Sequence, residues 1–173
     1  MPKIAAFSND LRDGLKGSVF EDKSKGFVSG AKNTEESIKF GIVGAIQHTQ
    51  IEYQQVNYSN KPWANEPWQA INYVSCHDNH TLFDKLKISK PKAYEKEIKA
   101  MHQLASAIVL TSQGTPFLHA DSEMMRTKNG EHNSYKSLDS INQINWNLKA
   151  KNADVATYFQ NLIKLRKNIL PLE

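Results

Sequence analysis

The run Tyr73-Val-Ser-Cys-His-Asp-Asn-His-Thr-Leu-Phe-Asp84 begins apolar and ends in a cluster of ionisable side chains. A short buried strand that stops at His77 and Asp78 would deliver an imidazole and a carboxylate to the rim of a sheet, where α/β enzymes do their chemistry. There Asp78 could face a developing cation, and His77 could bond a hydroxyl or tune that carboxylate. Read structurally, the same pair caps the next helix, with Asp78 or Asn79 as N-cap. His77, Asp78 and His80 also invite a metal-dependent hydrolase reading, because imidazole and carboxylate ligate zinc, manganese or iron. No HExxH or CxxC partner accompanies them.

The surrounding elements must position these groups. Ile4 to Phe7 is short and apolar and predicts a buried strand, followed by a polar loop over Ser8 to Gly17. Thr34-Glu-Glu predicts an N-cap with first-turn acids, then a helix over Ser37 to Ile46 weakened by two glycines. Asn57 to Pro67 reads as a loop, and Ala70 to Ser75 as the second strand. Lys92 to Ser112 is the clearest helix, with Ile98, Met101, Leu104, Ala105, Ile108 and Val109 on one stripe. Gly114-Thr-Pro ends it and opens a third strand, Pro116 to His119. A polar region follows from Asp121 to Asn152, then a last helix over Ala153 to Asn168. Strand, loop and helix in repetition predict an α/β fold with a parallel sheet and crossover helices. Three strands are too few to close a (β/α)8 barrel, which takes eight strands and about 250 residues.

At 173 residues the chain is one domain's worth. Hydrophobic residues make up 39%, too many for a disordered chain. The net charge of +4 comes from scattered residues, which argues against a nucleic-acid partner. One cysteine, Cys76, excludes an internal disulfide framework. No apolar run approaches a membrane span, so no membrane partner is expected. Met1-Pro-Lys has no signal-peptide pattern, which on that ground alone favours a cytoplasmic location, and a chain entering a core strand so early hints at truncation.

The Tyr73–Asp84 run resembles the His-Asp block at the seventh barrel strand of type I pullulanases, in the α-amylase superfamily (glycoside hydrolase family 13). Ala6-Phe-Ser-Asn-Asp-Leu-Arg-Asp-Gly-Leu-Lys-Gly17 is similar to the loop after the sixth strand. Gly114-Thr-Pro-Phe-Leu-His-Ala-Asp-Ser-Glu123, with Arg126-Thr-Lys and His132-Asn-Ser-Tyr135, is similar to the eighth strand and its loop. The resemblance runs from Ile4 to about Leu170. It implies an incomplete (β/α)8 TIM barrel, from about the sixth strand through the eighth helix, with residues 1–173 as one partial catalytic domain. It further implies a retaining debranching hydrolase acting on α-1,6-glucosidic bonds in pullulan, amylopectin or related glucans, through an oxocarbenium-like transition state between two carboxyl groups.

In that scheme Asp78 stabilises the transition state and His77 binds the same sugar. The nucleophile and general acid belong to the fourth and fifth strands, which would precede Met1. Asp10, Asp13, Asp84, Asp121, Glu123 and Asp139 stand in no motif that sets one beside Asp78, so the isolated chain is expected to be inert. Arg126, Asn133, Tyr135 and Asp139 are substrate-binding candidates, since sugar sites use such polar and aromatic groups. Trp63 and Trp68 read as loop packing or as a glucan-stacking wall. The implied partners are an α-glucan and a complementary N-terminal barrel segment; no cofactor is required. A non-catalytic product of a split gene that docks on such a segment is the alternative. Three positions depart from the family pattern: Asp121 stands for glycine, Leu138 for proline, and Asn145 for aspartate before Trp146.

Overall fold

The computed structural model describes residues 4–169. Met1 to Lys3, expected to lead into the first strand, and Leu170, near the end of the resemblance, lie outside them. The chain is α/β. Strands β1 (Ala6–Phe7), β2 (Ala70–Asn72) and β3 (Thr115–Pro116) form a parallel sheet in sequence order, pairing Phe7 with Ile71 and Ile71 with Thr115. The ladder extends past β3, where the Phe117 amide donates to the Asn72 carbonyl at 2.8 Å. β2 stops at Asn72 rather than Ser75, because the neighbouring strands give it nothing longer to pair with.

Seven helices fill the connections among the described residues: α1 (Asn9–Lys16), α2 (Glu35–Ile42), α3 (Leu82–Ser89), α4 (Glu95–Thr111), α5 (Asp139–Asn142), α6 (Asn147–Lys151) and α7 (Ala153–Asn168). One apolar core joins Leu11 and Leu15 of α1, Leu82 and Leu86 of α3, Ile98 and Val109 of α4, and Val155 and Phe159 of α7. Burying each such side chain contributes about 1.5–3 kcal/mol. A second cluster gathers Phe40, Ile51, Val56 and Ala64 around Ala70 of β2.

Several expectations need correction. Ile4 to Phe7 is exposed, not buried: Phe7 retains 48% of its surface. The helices cover one face of the sheet, and the other presents Phe7, Ile71 and Thr115 at register positions that are exposed or half-exposed. Beyond the ladder, Tyr73 and Phe117 join Phe7 in an edge-to-face trio with centroids 4.9–6.4 Å apart. The expected loop at Ser8 to Gly17 is instead α1, anchored by Leu11 and Leu15 one turn apart.

α2 ends at Ile42, since Gly44 and Ala45 both turn left-handed with φ of 71° and 59°. Its internal Gly41 lets α1 approach, as a Cβ there would lie 2.5 Å from Leu11 Cδ1. In α4 the stripe is rotated from the expected one: Leu104 is exposed, while His102, Ser106 and Leu110 are buried. α7 has the expected bounds.

Candidate active site

The His77-Asp78 turn follows directly on β2. Tyr73, Val74 and Ser75 are buried, Cys76 is half-buried, and His77 and Asp78 emerge with side chains 84% and 71% exposed. Their polar ends lie side by side, His77 Nε2 at 3.5 Å from Asp78 Oδ2. Asn79 then takes φ of 62°, reversing the chain so that His80 turns back inward. Asparagine tolerates this left-handed geometry better than most residues. α3 starts only afterwards, with Thr81 as N-cap: its hydroxyl accepts the Asp84 amide at 3.1 Å. The capping role considered for Asp78 or Asn79 therefore falls to Thr81, and both His77 and Asp78 are left facing solvent.

Two buried lysines hold this turn. Lys128 Nζ donates to the His77 carbonyl at 3.0 Å and to Ser134 Oγ at 2.5 Å. Lys16 Nζ, from the end of α1, donates to the His80 carbonyl at 3.3 Å. Burial, reinforced by Arg12, pushes the Lys16 ammonium down to about 8. Lys128 is likewise lowered by burial and then by Arg126. Asp84 fixes the far side, accepting Thr127 Oγ1 at 2.5 Å and the Lys128 amide at 2.7 Å. His119 lies below the turn, 3.5 Å from Ser75 Oγ. Burial and then the charges of Arg126 and Lys128 push its imidazole down to about 4, so it is neutral near pH 7.

A cleft of about 230 Å³ opens beside the pair, lined by His77, Asp78, Lys128, His132, Asn133 and Tyr135, with Ser134 and Asn142 at its floor. Of the four expected substrate-binding residues, Asn133 and Tyr135 reach it. Arg126 does not: its Nη2 donates to the Asn142 carbonyl at 2.6 Å, so it braces the loop backbone. Asp139 starts α5 and is exposed, outside the cleft lining. His80 is also elsewhere, its Nε2 3.1 Å from Asp22 Oδ1, which takes it out of a ligand set with His77 and Asp78.

Two further carboxylates, Asp10 and Asp13, are held in structural hydrogen bonds. Asp10 accepts the amides of Tyr58 and Ser59 and the Ser59 hydroxyl. Asp13 makes a two-point pair with Arg12 and accepts Tyr58 OH. Arg12 in turn donates to Tyr73 OH at 2.7 Å, tying α1 to the end of β2. Asp121 adopts φ of 71°, the left-handed geometry that suits glycine. Trp63 and Trp68 are both partly exposed on the loop before β2. Leu138 is exposed in extended backbone ahead of α5, and Asn145 Oδ1 accepts the Asn147 amide at 3.1 Å.

Lys16, Lys128, His132 and Ser134 stand in the matching sequence blocks but were assigned no role there. The lysines drew none because lysine is normally a surface residue.

No protein-family model matches the chain. A pullulanase of Bacillus subtilis (strain 168) is 38% identical over 167 residues, which is 96% of this chain and 22% of the relative. Among solved structures, the pullulanase of Paenibacillus barengoltzii in complex with maltohexaose and alpha-cyclodextrin superposes with a TM-score of 0.86 at 48% identity, covering 96% of this chain and 24% of that one. The type I pullulanase of Bacillus subtilis str. 168 complexed with maltose superposes at 0.88 with 38% identity, over 96% and 22%. The chain thus spans less than a quarter of the length of these relatives.

Proposed function

Because the chain is homologous to the pullulanases, a group of glycoside hydrolases, over 96% of its length, we propose that it is a segment of a debranching hydrolase acting on α-1,6-glucosidic bonds of pullulan, amylopectin or related glucans. The observation that carries this reading is the His77-Asp78 pair, standing exposed at the end of the middle strand beside a cleft with Asn133 and Tyr135. Asp78 stabilises positive charge developing on the sugar, a role suited to an acceptor held in fixed geometry. His77 bonds a hydroxyl of the same ring. Asn133 bonds further hydroxyls, and the exposed Tyr135 ring offers a face to a pyranose. Arg126 acts indirectly, by bracing the loop that carries Asn133 and Tyr135.

Residues 1–173 constitute a single partial domain, corresponding to an incomplete (β/α)8 barrel from about the sixth strand through the eighth helix. The parallel order β1-β2-β3 and the uncovered sheet face support this, since parallel sheets are normally buried on both faces. A complementary barrel segment covers that face and supplies the nucleophile and general acid. Asp10, Asp13 and Asp84 are each committed to hydrogen bonds within the fold. The chain alone is therefore inert. Reducing-sugar release from pullulan by the purified chain tests this: none is expected. Release that disappears in Asp78→Asn would mean that a complete site lies within the chain.

A further inference from the structure

Cys76, His77 and Asp78 each present one ligand atom, and the three atoms lie within 4.8 Å of one another. Among the described residues they are the one such group of three His, Cys, Asp or Glu donors. We propose that they form a binding site for a thiophilic divalent cation of the zinc class, and that this ion and a glucan exclude one another from the cleft.

The geometry suits such an ion. Zinc binds sulfur at about 2.3 Å and imidazole or carboxylate at about 2.0–2.2 Å, so tetrahedral ligand atoms sit about 3.3–3.8 Å apart. His77 Nε2 and Asp78 Oδ2 are already 3.5 Å apart. Cys76 Sγ lies over the same turn, 3.7 Å from the Asp78 carbonyl oxygen. Side-chain rotation must draw Cys76 Sγ in from within 4.8 Å of the other two atoms, and the turn beneath is held by Lys128 and Lys16.

The donor chemistry selects the ion. Sulfur and imidazole favour zinc, cobalt or copper, whereas calcium and magnesium require six or more oxygens. The nearby Lys128 ammonium opposes any cation and further disfavours weakly held hard ions. Three protein donors leave a fourth position open to water. This site differs from a set built on His77, Asp78 and His80, because His80 is turned toward Asp22.

The metal site stands on these distances alone; only the competition with sugar rests on the proposed function. A bound ion would occupy His77 Nε2 and an Asp78 oxygen, the atoms assigned to the sugar.

Cobalt titration of the full chain tests the site, because a cysteine thiolate bound to Co²⁺ gives a charge-transfer band in the near ultraviolet. One equivalent is expected to bind, with Zn²⁺ bleaching the band. Cys76→Ser abolishes the band, His77→Ala weakens binding at least tenfold, and His80→Ala leaves both unchanged. Circular dichroism checks that each variant keeps the parent's helix content. No band, or equal calorimetric binding of Zn²⁺ to the parent, Cys76→Ser and His77→Ala, overturns the site. These readings use no sugar, so their failure leaves the glucan proposal intact. Conversely, metal binding by the chain grafted into a complete pullulanase barrel, with no maltooligosaccharide bound at its cleft, would overturn the glucan proposal and the competition while leaving the metal site.

Discussion

The Lys128 ammonium donates to the backbone carbonyl of His77 at 3.0 Å, from a loop that follows β3 onto the turn that follows β2. The bond links residues 51 positions apart and pins the carbonyl immediately before Asp78. Its second bond, to Ser134 Oγ at 2.5 Å, extends the same clamp to the cleft floor. The orientation of Asp78 thus depends on a residue outside its own motif.

Replacing Lys128 with Met should expose this dependence. Hydrogen bonds to a charged group contribute about 1.5–3 kcal/mol, while the ammonium's own burial opposes its charged form and offsets part of that. A net loss of about 1 kcal/mol is expected in urea unfolding. Amide exchange at Asp78 and Asn79 should accelerate by more than this global change accounts for. Equal exchange in parent and variant would remove the positioning role.

Asp121 offers the opposite case, a residue whose replacement should help. It is 5% exposed, holds φ of 71°, and its Oδ2 makes no hydrogen bond, lying 3.8 Å from Arg126 Nη1. Burial raises its carboxyl above the ordinary range, with Arg126 opposing. The backbone bonds at this turn, from the Met124 and Arg126 amides to the Asp121 carbonyl, survive any substitution. Asp121→Gly relieves the left-handed strain and should raise stability by about 1 kcal/mol, read as a higher urea midpoint. A lower midpoint would mean that the Arg126 contact outweighs the strain.

His102 sets a pH dependence. It is buried in α4, with Nε2 2.8 Å from the Ser122 carbonyl, and burial pushes its pKa down to about 4. Burial keeps the ring neutral, and the Nε2–H bond to that carbonyl, which favours the charged form, offsets only part of this. Unfolded, the same imidazole titrates near its ordinary value of about 6.5. Between these values the unfolded chain binds the proton and the folded chain does not, so stability falls as pH falls through this window. The full loss is roughly 3 kcal/mol by pH 4. His102→Gln should make this part of the stability–pH curve shallower, measured by urea unfolding from pH 7 to pH 4, with His119, likewise pushed down to about 4, supplying the slope that remains. An unchanged slope would place the acid sensitivity elsewhere.

The sequence disclosed the longer elements and the reactive turn more fully than the parts that hold the turn in place. α7 was legible to its ends because Tyr158, Phe159, Leu162, Ile163 and Leu165 recur at helical spacing. α1 was hidden: Asn9-Asp-Leu-Arg-Asp-Gly-Leu-Lys16 is mostly polar, and only Leu11 and Leu15 mark its buried side. Asp10, Arg12 and Asp13 are buried as well, paired with partners such as Tyr58, Ser59 and Tyr73 that lie some 45 to 61 positions away. No local pattern encodes such pairings.

Likewise the cleft lining came half from the reading, through His77, Asp78, Asn133 and Tyr135. Arg126 was chosen for its chemistry, but its guanidinium is committed to backbone carbonyls. The inward turn of His80 depends on Asn79 adopting positive φ, which periodicity does not reveal. Exposure of Ile4 and Phe7 was equally invisible, because apolar character signals a need for burial and not what is available to cover it.

Asp78 is proposed as the transition-state-stabilising carboxylate of a debranching site completed by another part of a barrel. Grafting this chain in place of the matching stretch of the Bacillus subtilis pullulanase, and measuring pullulan hydrolysis with and without Asp78→Asn, tests it most directly. The graft is expected to release reducing sugar, and Asp78→Asn to lower kcat by about 100-fold or more with little change in folding. A folded graft that hydrolyses pullulan equally well with Asn at position 78 would contradict the assignment.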